Sequence, residues 1–95
     1  MNRQSIFYDD QDYRDFLTRL KEHVLKFQIT VIAYCLMPNH FHFFLRQDGE
    51  VKVGLPLQLA CNGYVQRFNL RHQRTGTLFA GRFRALPVEG DEYLR

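Results

Sequence analysis

Two histidines, His40 and His42, flank one phenylalanine in an otherwise apolar stretch, HFHFFLR (residues 40–46). If this stretch is a β-strand, side chains two positions apart point to the same face, with Cα atoms about 6.5–7 Å apart. Neutral imidazoles placed in this way can share one divalent ion such as Mn, Zn, Co or Ni, whereas Mg suits them less unless phosphate oxygens help. The alternative is two polar residues on a solvated sheet face, because His-x-His alone is weak evidence. No third ligand is obvious nearby in the sequence.

A basic segment without acids is the second feature that points to chemistry. The chain has 13 Lys and Arg against 10 Asp and Glu, a formal charge of +3 and a pI of about 9.1. Residues 51–88 carry six basic side chains and no acidic one. Such a segment favours a polyanionic partner, nucleic acid first, and the alternative is a solvated basic face. The six residues are Lys52, Arg67, Arg71, Arg74, Arg82 and Arg84.

The histidine pair must be positioned by a hairpin that follows a helix. Apolar residues at three-and-four spacing, behind a capping Asp9 or Asp10, predict a helix over about 10–27. The β-branched and apolar run ITVIAYCL (29–36) predicts a strand that is buried on both faces or lies near the middle of a sheet. Met-Pro-Asn then supplies turn chemistry, so residues 29–46 should form an antiparallel hairpin.

The basic segment should consist of a helix and a strand, over about 56–88. Pro56 suits the first turn of a helix, and its apolar stripe includes Cys61 and Tyr64. Gly63 within this helix suggests close packing there. Residues 82–88 are predicted to form a strand near an edge, and residues 91–94 look like the first turn of a third helix. At 95 residues, the chain should be one small domain.

The two cysteines and the chain start indicate the compartment. Cys35 and Cys61 lie in apolar surroundings without Cys-x-x-Cys spacing, so we expect reduced core thiols in a cytoplasmic protein. The first ten residues lack a signal peptide pattern. The uncharged stretch 27–45 contains proline, asparagine and two histidines, so we expect no membrane span.

Four blocks of the sequence resemble, in order, the HUH single-tyrosine transposases of simple insertion sequences, and are most similar to the REP-associated tyrosine transposase branch. The central block is AYCLMPNHFHFFLR (33–46). It is preceded by IFYDDQDYRDFL (6–17) and followed by YVQRFNLRHQRTGTLFAGRF (64–83) and VEGDEYL (88–94). Where the family usually has Trp, this chain has Phe79.

The resemblance implies an α+β fold, a ferredoxin-like antiparallel sheet with helices packed on one face. It implies DNA transposition, in which a tyrosine attacks single-stranded DNA beside a hairpin and forms a 5′-phosphotyrosine. His40 and His42 would hold Mg or Mn as a Lewis acid. The DNA-binding residues would be Arg67, Asn69, Arg71, Arg74, Arg82 and Arg84. If five arginines neutralise phosphates, log K should fall with log salt at a slope near −3.5.

The chain departs from the family pattern at both ends. The family's tyrosine lies in the last helix, beyond the position of Arg95, and its opening strand would precede residue 2. We therefore expect a partial domain, incomplete in its sheet, that holds the metal-binding half of the site and is inactive as a fragment. Tyr93 is a weak substitute for the nucleophile, and Tyr8, Tyr13, Tyr34 and Tyr64 are better explained as packing residues.

Two other functions stay open. One is a non-catalytic module of the same lineage that binds DNA hairpins, and the other is an unrelated metal-dependent RNA or nucleotide hydrolase that carries His-x-His. An unpaired sheet edge would also invite pairing with a second chain, so we expect a homodimer.

Overall fold

Two helices pack on one face of a four-stranded antiparallel sheet in the computed structural model, which describes residues 5–78, 85–88 and 91–94. The strand order is β1-β2-β4-β3, and every neighbouring pair is antiparallel. This arrangement confirms the predicted α+β class. The elements are α1 (Asp10–Lys26), β1 (Ile29–Met37), β2 (His40–Gln47), α2 (Gly54–Arg71), β3 (Ala85–Val88) and β4 (Asp91–Leu94).

Helix α1 begins where the sequence places its cap. The Asp9 carboxylate accepts a hydrogen bond from the Asp12 backbone N–H at 2.9 Å, which satisfies one of the free donors of the first turn. The stripe formed by Phe16, Leu20 and Val24 is buried. The helix ends at Lys26, one residue short of the predicted end.

The hairpin turns at two residues, Pro38 and Asn39, so that Met37 pairs with His40. The carbonyl oxygen of Pro38 accepts hydrogen bonds from the backbone N–H groups of Ile6 (2.7 Å) and Phe7 (3.2 Å). This contact ties the segment before α1 to the turn that carries the histidines.

The core lies between β2 and the two helices. Phe41, Phe43 and Leu45 of β2 are at most 4% exposed. They belong to one cluster with the stripe of α1 and with buried residues of α2, namely Leu57, Ala60, Cys61, Tyr64 and Phe68. The second helix begins at Gly54, two residues before the predicted start at Pro56. No helix in the described ranges combines the length and apolar character needed to cross a bilayer.

The prediction of a central, doubly buried strand at residues 29–36 was wrong. Among the described strands, β1 lies at an edge of the sheet, and most of its side chains are half-buried or exposed. Ile32 is 44% and Tyr34 54% exposed. Cys35 is likewise exposed and not a core thiol, whereas Cys61 is buried as predicted. Apolar composition alone does not reveal which strand ends the sheet, since both helices cover the same face.

Residues 91–94 form strand β4 and not the first turn of a third helix. This strand lies between β2 and β3, where it pairs with both, and Phe44 of β2 is opposite Tyr93. A helix of one turn gains few hydrogen bonds for the residues it orders, whereas a central strand gains bonds along two ladders. The predicted strand 82–88 is described as β3 over residues 85–88, while Arg82 and Arg84 lie outside the described residues.

Candidate functional site

The histidine pair lies on the face of β2 opposite the helices. His40 and His42 alternate along the strand with Phe41 and Phe43, which are buried against α1 and α2. The imidazole rings are adjacent, with centroids 5.1 Å apart and planes inclined at 83°. Both side chains are half-buried. Strand periodicity therefore places two nitrogen donors side by side, and the buried phenylalanines hold the strand in this orientation.

Both rings are arranged to offer Nε2. Nδ1 of His40 lies 2.6 Å from Oδ1 of Asn39, an amide oxygen that only accepts, so Nδ1 carries the proton and Nε2 keeps its lone pair. Nδ1 of His42 is buried, so Nε2 is the nitrogen of that ring that a ligand can reach. Two Nε2 donors on one face fit a divalent transition ion.

Two sulfur atoms border the histidines on strand β1. Cys35 is the cross-strand partner of His42, and Met37 is the partner of His40. The sulfur atoms of Cys35 and Met37 lie 3.7 Å apart. Neither β1 nor β2 contains Asp or Glu. The sequence did not predict these neighbours, because the apolar surroundings of Cys35 suggested a core position.

An ion-pair network around the buried Asp12 joins the start of α1 to the end of α2. Asp12 is 1% exposed, and its carboxylate accepts from the Tyr8 backbone N–H (2.8 Å), from His72 Nε2 (2.9 Å) and from Arg71. Arg71 also forms an ion pair with Asp9 at 3.1 Å. The hydrogen bond from the Asp12 backbone and the Arg71 guanidinium lower the pKa of Asp9, and the bond to Asp9 raises the pKa of Arg71.

This network also contains three side chains that could in principle hold a metal ion, namely Asp9, Asp12 and His72. In the described ranges they are the one group of three His, Cys, Asp or Glu residues whose ligand atoms lie within 4.8 Å of one another. The Arg71 guanidinium already forms ion pairs with both carboxylates. A metal ion would have to displace this cation from a buried partner, which is costly. We therefore assign the network to the packing of α1 on α2. Residues about 60 positions apart form it, so no local pattern could have revealed it.

The other polar residues after α2 hold the chain in place. Arg74 donates to Oδ1 of Asn69 (2.7 Å) and to the Thr77 carbonyl (3.3 Å), and its guanidinium lies 5.6 Å from the centre of the Phe68 ring. The amide of Asn69 donates to the carbonyl of Gly76 at 3.0 Å. Asn69 and Arg74 thus have internal partners that shape the loop.

Arg67 differs from the other arginines that the structure describes in this segment. It is exposed on α2, and within the described ranges it forms no ion pair with a carboxylate. Its guanidinium is therefore available to an external anion, whereas Arg71 and Arg74 are engaged.

The tyrosines with described side chains are packing residues. The hydroxyl of Tyr64 donates to the backbone carbonyl of Ile6, and burial raises the pKa of this phenol well above its ordinary value. Tyr13 stacks on Phe7 with ring centroids 4.4 Å apart. Tyr34 stacks on Phe43, on the helix side of the hairpin. Tyr34 is 54% exposed, but it pairs with Phe43 and so lies on the face of the sheet opposite His40 and His42.

Comparison with known proteins decides the family. A family model described as "Transposase IS200 like" matches residues 1–94, almost the entire chain. The chain belongs to this family. The resemblance seen in the four sequence blocks is thereby confirmed, and membership supports a role in DNA transposition. No curated protein and no solved structure matches the chain.

Family membership gives the histidine pair its context. IS200-like transposases are in general metal-dependent enzymes that act on DNA. In this IS200-like chain, the rings of His40 and His42 lie side by side on the face of the sheet away from the helices. Arg67 of the basic segment is exposed on α2.

Proposed function

We propose that this chain binds single-stranded DNA beside a hairpin and holds Mg or Mn between His40 and His42, in support of strand cleavage and joining. The observation that carries the proposal is the placement of two imidazole rings, 5.1 Å apart, on the face of the sheet away from the helices. Membership of the IS200-like family supplies the reaction class.

The chain's own residues would position the reacting groups. A bound divalent ion supplies Lewis acidity that polarises the scissile phosphate and offsets its charge. Asn39 holds the His40 ring through Nδ1, so Nε2 stays directed away from the turn. Phe41 and Phe43 anchor β2 in the core, so both rings keep one orientation relative to the DNA.

Cleavage in this proposal is a transfer of the phosphoryl group to tyrosine. The phenol gives up its proton to solvent as its oxygen forms a bond to phosphorus, the bond from phosphorus to the 3′ oxygen breaks, and that oxygen takes up a proton to become a free 3′-OH. Joining reverses these changes with another 3′-OH. Tyr13, Tyr34 and Tyr64 do not suit this role because of their packing contacts. We therefore propose that another tyrosine is the nucleophile, with Tyr93 of β4 as a weak candidate.

DNA binding would use the basic segment. A guanidinium binds phosphate through a planar fork and can stack on an exposed base. Arg67 is exposed and, among the described residues, neither pairs with a carboxylate as Arg71 does nor bonds the loop after α2 as Arg74 does. We propose Arg82 and Arg84 as further contacts. Asn69, Arg71 and Arg74 would support these contacts by holding the end of α2 and its loop.

A non-catalytic hairpin-binding module is the second candidate. The observation that favours it is that Tyr13 and Tyr34 stack on phenylalanines and that the Tyr64 hydroxyl is bonded to a backbone carbonyl. Incubation with labelled hairpin-flanked single strands and Mn separates the two functions. We expect binding without a covalent adduct from these 95 residues. An adduct that survives denaturation and is lost in Tyr93→Phe would assign the nucleophile to Tyr93.

Calorimetry with Mn²⁺ tests the metal site. We expect a binding heat in the wild type that disappears in the double variant His40→Ala/His42→Ala. His23→Ala is the matched control, because His23 is a half-buried histidine on α1, away from β2. An unchanged heat in the double variant would show that the metal binds elsewhere and would remove the basis of the proposal.

A further inference from the structure

We propose that Cys35 is a third protein ligand of the metal site, and that the site therefore binds Zn²⁺ or Co²⁺ more tightly than Mn²⁺ or Mg²⁺. The inference rests on the proposed function, because it extends the donor pair of His40 and His42. Its basis is the pairing of β1 with β2, which the sequence alone did not show.

The register places the thiol beside the histidines. Cys35 and His42 are cross-strand partners, and side chains directly opposite in an antiparallel pair lie on the same face with Cβ atoms about 4.5–5.5 Å apart. Cys35 is exposed, and its sulfur atom is borne on a single rotatable bond. In the structure this sulfur contacts Met37 at 3.7 Å, so a rotation to another staggered position is needed to bring it toward the His42 ring.

The donor chemistry favours a thiophilic ion. Two imidazoles and one thiolate form a set typical of zinc, whereas Mg²⁺ and Mn²⁺ prefer carboxylate and other oxygen ligands. Neither strand of the hairpin provides a carboxylate. Met37, the partner of His40, adds a second soft sulfur at the border of the site. As the bond from sulfur to the metal forms, the thiol releases its proton to solvent.

Three protein ligands would leave one position of a tetrahedral ion open. A phosphate oxygen or water can take this position, as in catalytic zinc sites. The other cysteine cannot replace Cys35, because Cys61 is buried on α2 and burial raises the pKa of its thiol. Cys61 is therefore a matched control for metal ligation by the Cys35 thiolate.

Cobalt spectroscopy tests the ligand directly, with Co²⁺ in place of Zn²⁺. We expect a near-ultraviolet charge-transfer band from thiolate to cobalt in the wild type and in Cys61→Ser. The band should be absent from Cys35→Ser and from His40→Ala/His42→Ala. Competition with a chelator should show that Cys35→Ser weakens Zn²⁺ binding by more than about 100-fold, which exceeds the about 10–100-fold loss expected for a group that only supports a ligand. Circular dichroism would verify that the variants remain folded.

The outcomes separate this inference from the proposed function. If the Mn²⁺ heat depends on the histidines but wild-type protein with bound Co²⁺ lacks the thiolate band, Cys35 is not a ligand and the proposed function stands. A thiolate band that persists without the histidines would also overturn the inference, since the sulfur would then bind metal at another place. If neither ion binds, the proposed metal site itself is wrong.

Discussion

Replacement of Arg71 by alanine should destabilise the fold and leave the salt dependence of DNA binding unchanged. Arg71 belongs to the basic segment, and the resemblance to transposases would place it on DNA. In the structure, however, its guanidinium contacts Asp9 and the buried Asp12. A cation that neutralises an internal carboxylate releases no counterion from DNA, so it should not contribute to the salt slope.

The size of the effect follows from the burial of Asp12, which is 1% exposed. The Arg71 side chain is 29% exposed, so losing this partly buried pair should cost less than the about 3–5 kcal/mol that is typical of a fully buried one. Asp12 would keep the hydrogen bonds from Tyr8 and His72, so we expect the uncompensated carboxylate to cost about 2–3 kcal/mol of unfolding free energy. Arg71→Lys retains the charge without the planar fork and should lie between alanine and wild type.

Urea unfolding and DNA titration at several salt concentrations measure the two quantities separately. With Arg67, Arg82 and Arg84 as the phosphate contacts, the slope of log K against log salt should be about −2, and not about −3.5 as for five arginines. Arg67→Ala is the matched control on the same helix, and it should reduce the slope by about 0.7 without a change in stability. The reasoning is refuted if Arg71→Ala unfolds at the wild-type urea concentration and reduces the slope as Arg67→Ala does.

Three further predictions concern other parts of the chain. Gly63→Ala should stabilise α2 by up to about 1 kcal/mol in urea unfolding, because the new Cβ would meet only the flexible end of Arg19, at 2.8 Å; a loss of stability would show that the side chain cannot move away. Iodoacetamide should modify Cys35 in the folded protein and Cys61 only after denaturation, and equal labelling measured by mass spectrometry would contradict the burial of Cys61. Because β1 is an edge strand with exposed apolar side chains, sedimentation should show dimers that Ile32→Lys converts to monomers; a wild-type monomer at high concentration would exclude this association.

Local patterns predicted the parts of the site that depend on neighbouring residues. The two-residue period of a strand was enough to place His40 and His42 on one face, and the apolar residues between them predicted which face would be buried. The cap and apolar stripe of α1 were predictable for the same reason, because backbone donors and helix periodicity act over three or four residues.

Gly63 is a position at which the local pattern predicted close packing but not the neighbouring residue. The sequence indicated close packing at this position, but not that the close neighbour is the side chain of Arg19 from the other helix. The identity of a neighbour across two packed helices depends on how the helices are aligned, and each helix's own sequence contains little information about that alignment.

What the sequence alone determined was therefore the family, the α+β class, the hairpin and the orientation of its histidines, since these depend on short-range periodicity and on residues in a recognisable order. The tertiary structure decided that β1 is an edge strand, that residues 91–94 form a strand and that Arg71 neutralises Asp12. It also placed Cys35 opposite His42. Each of these features is a contact between segments that are far apart in the sequence. Such a contact contributes free energy only after folding has brought both partners together.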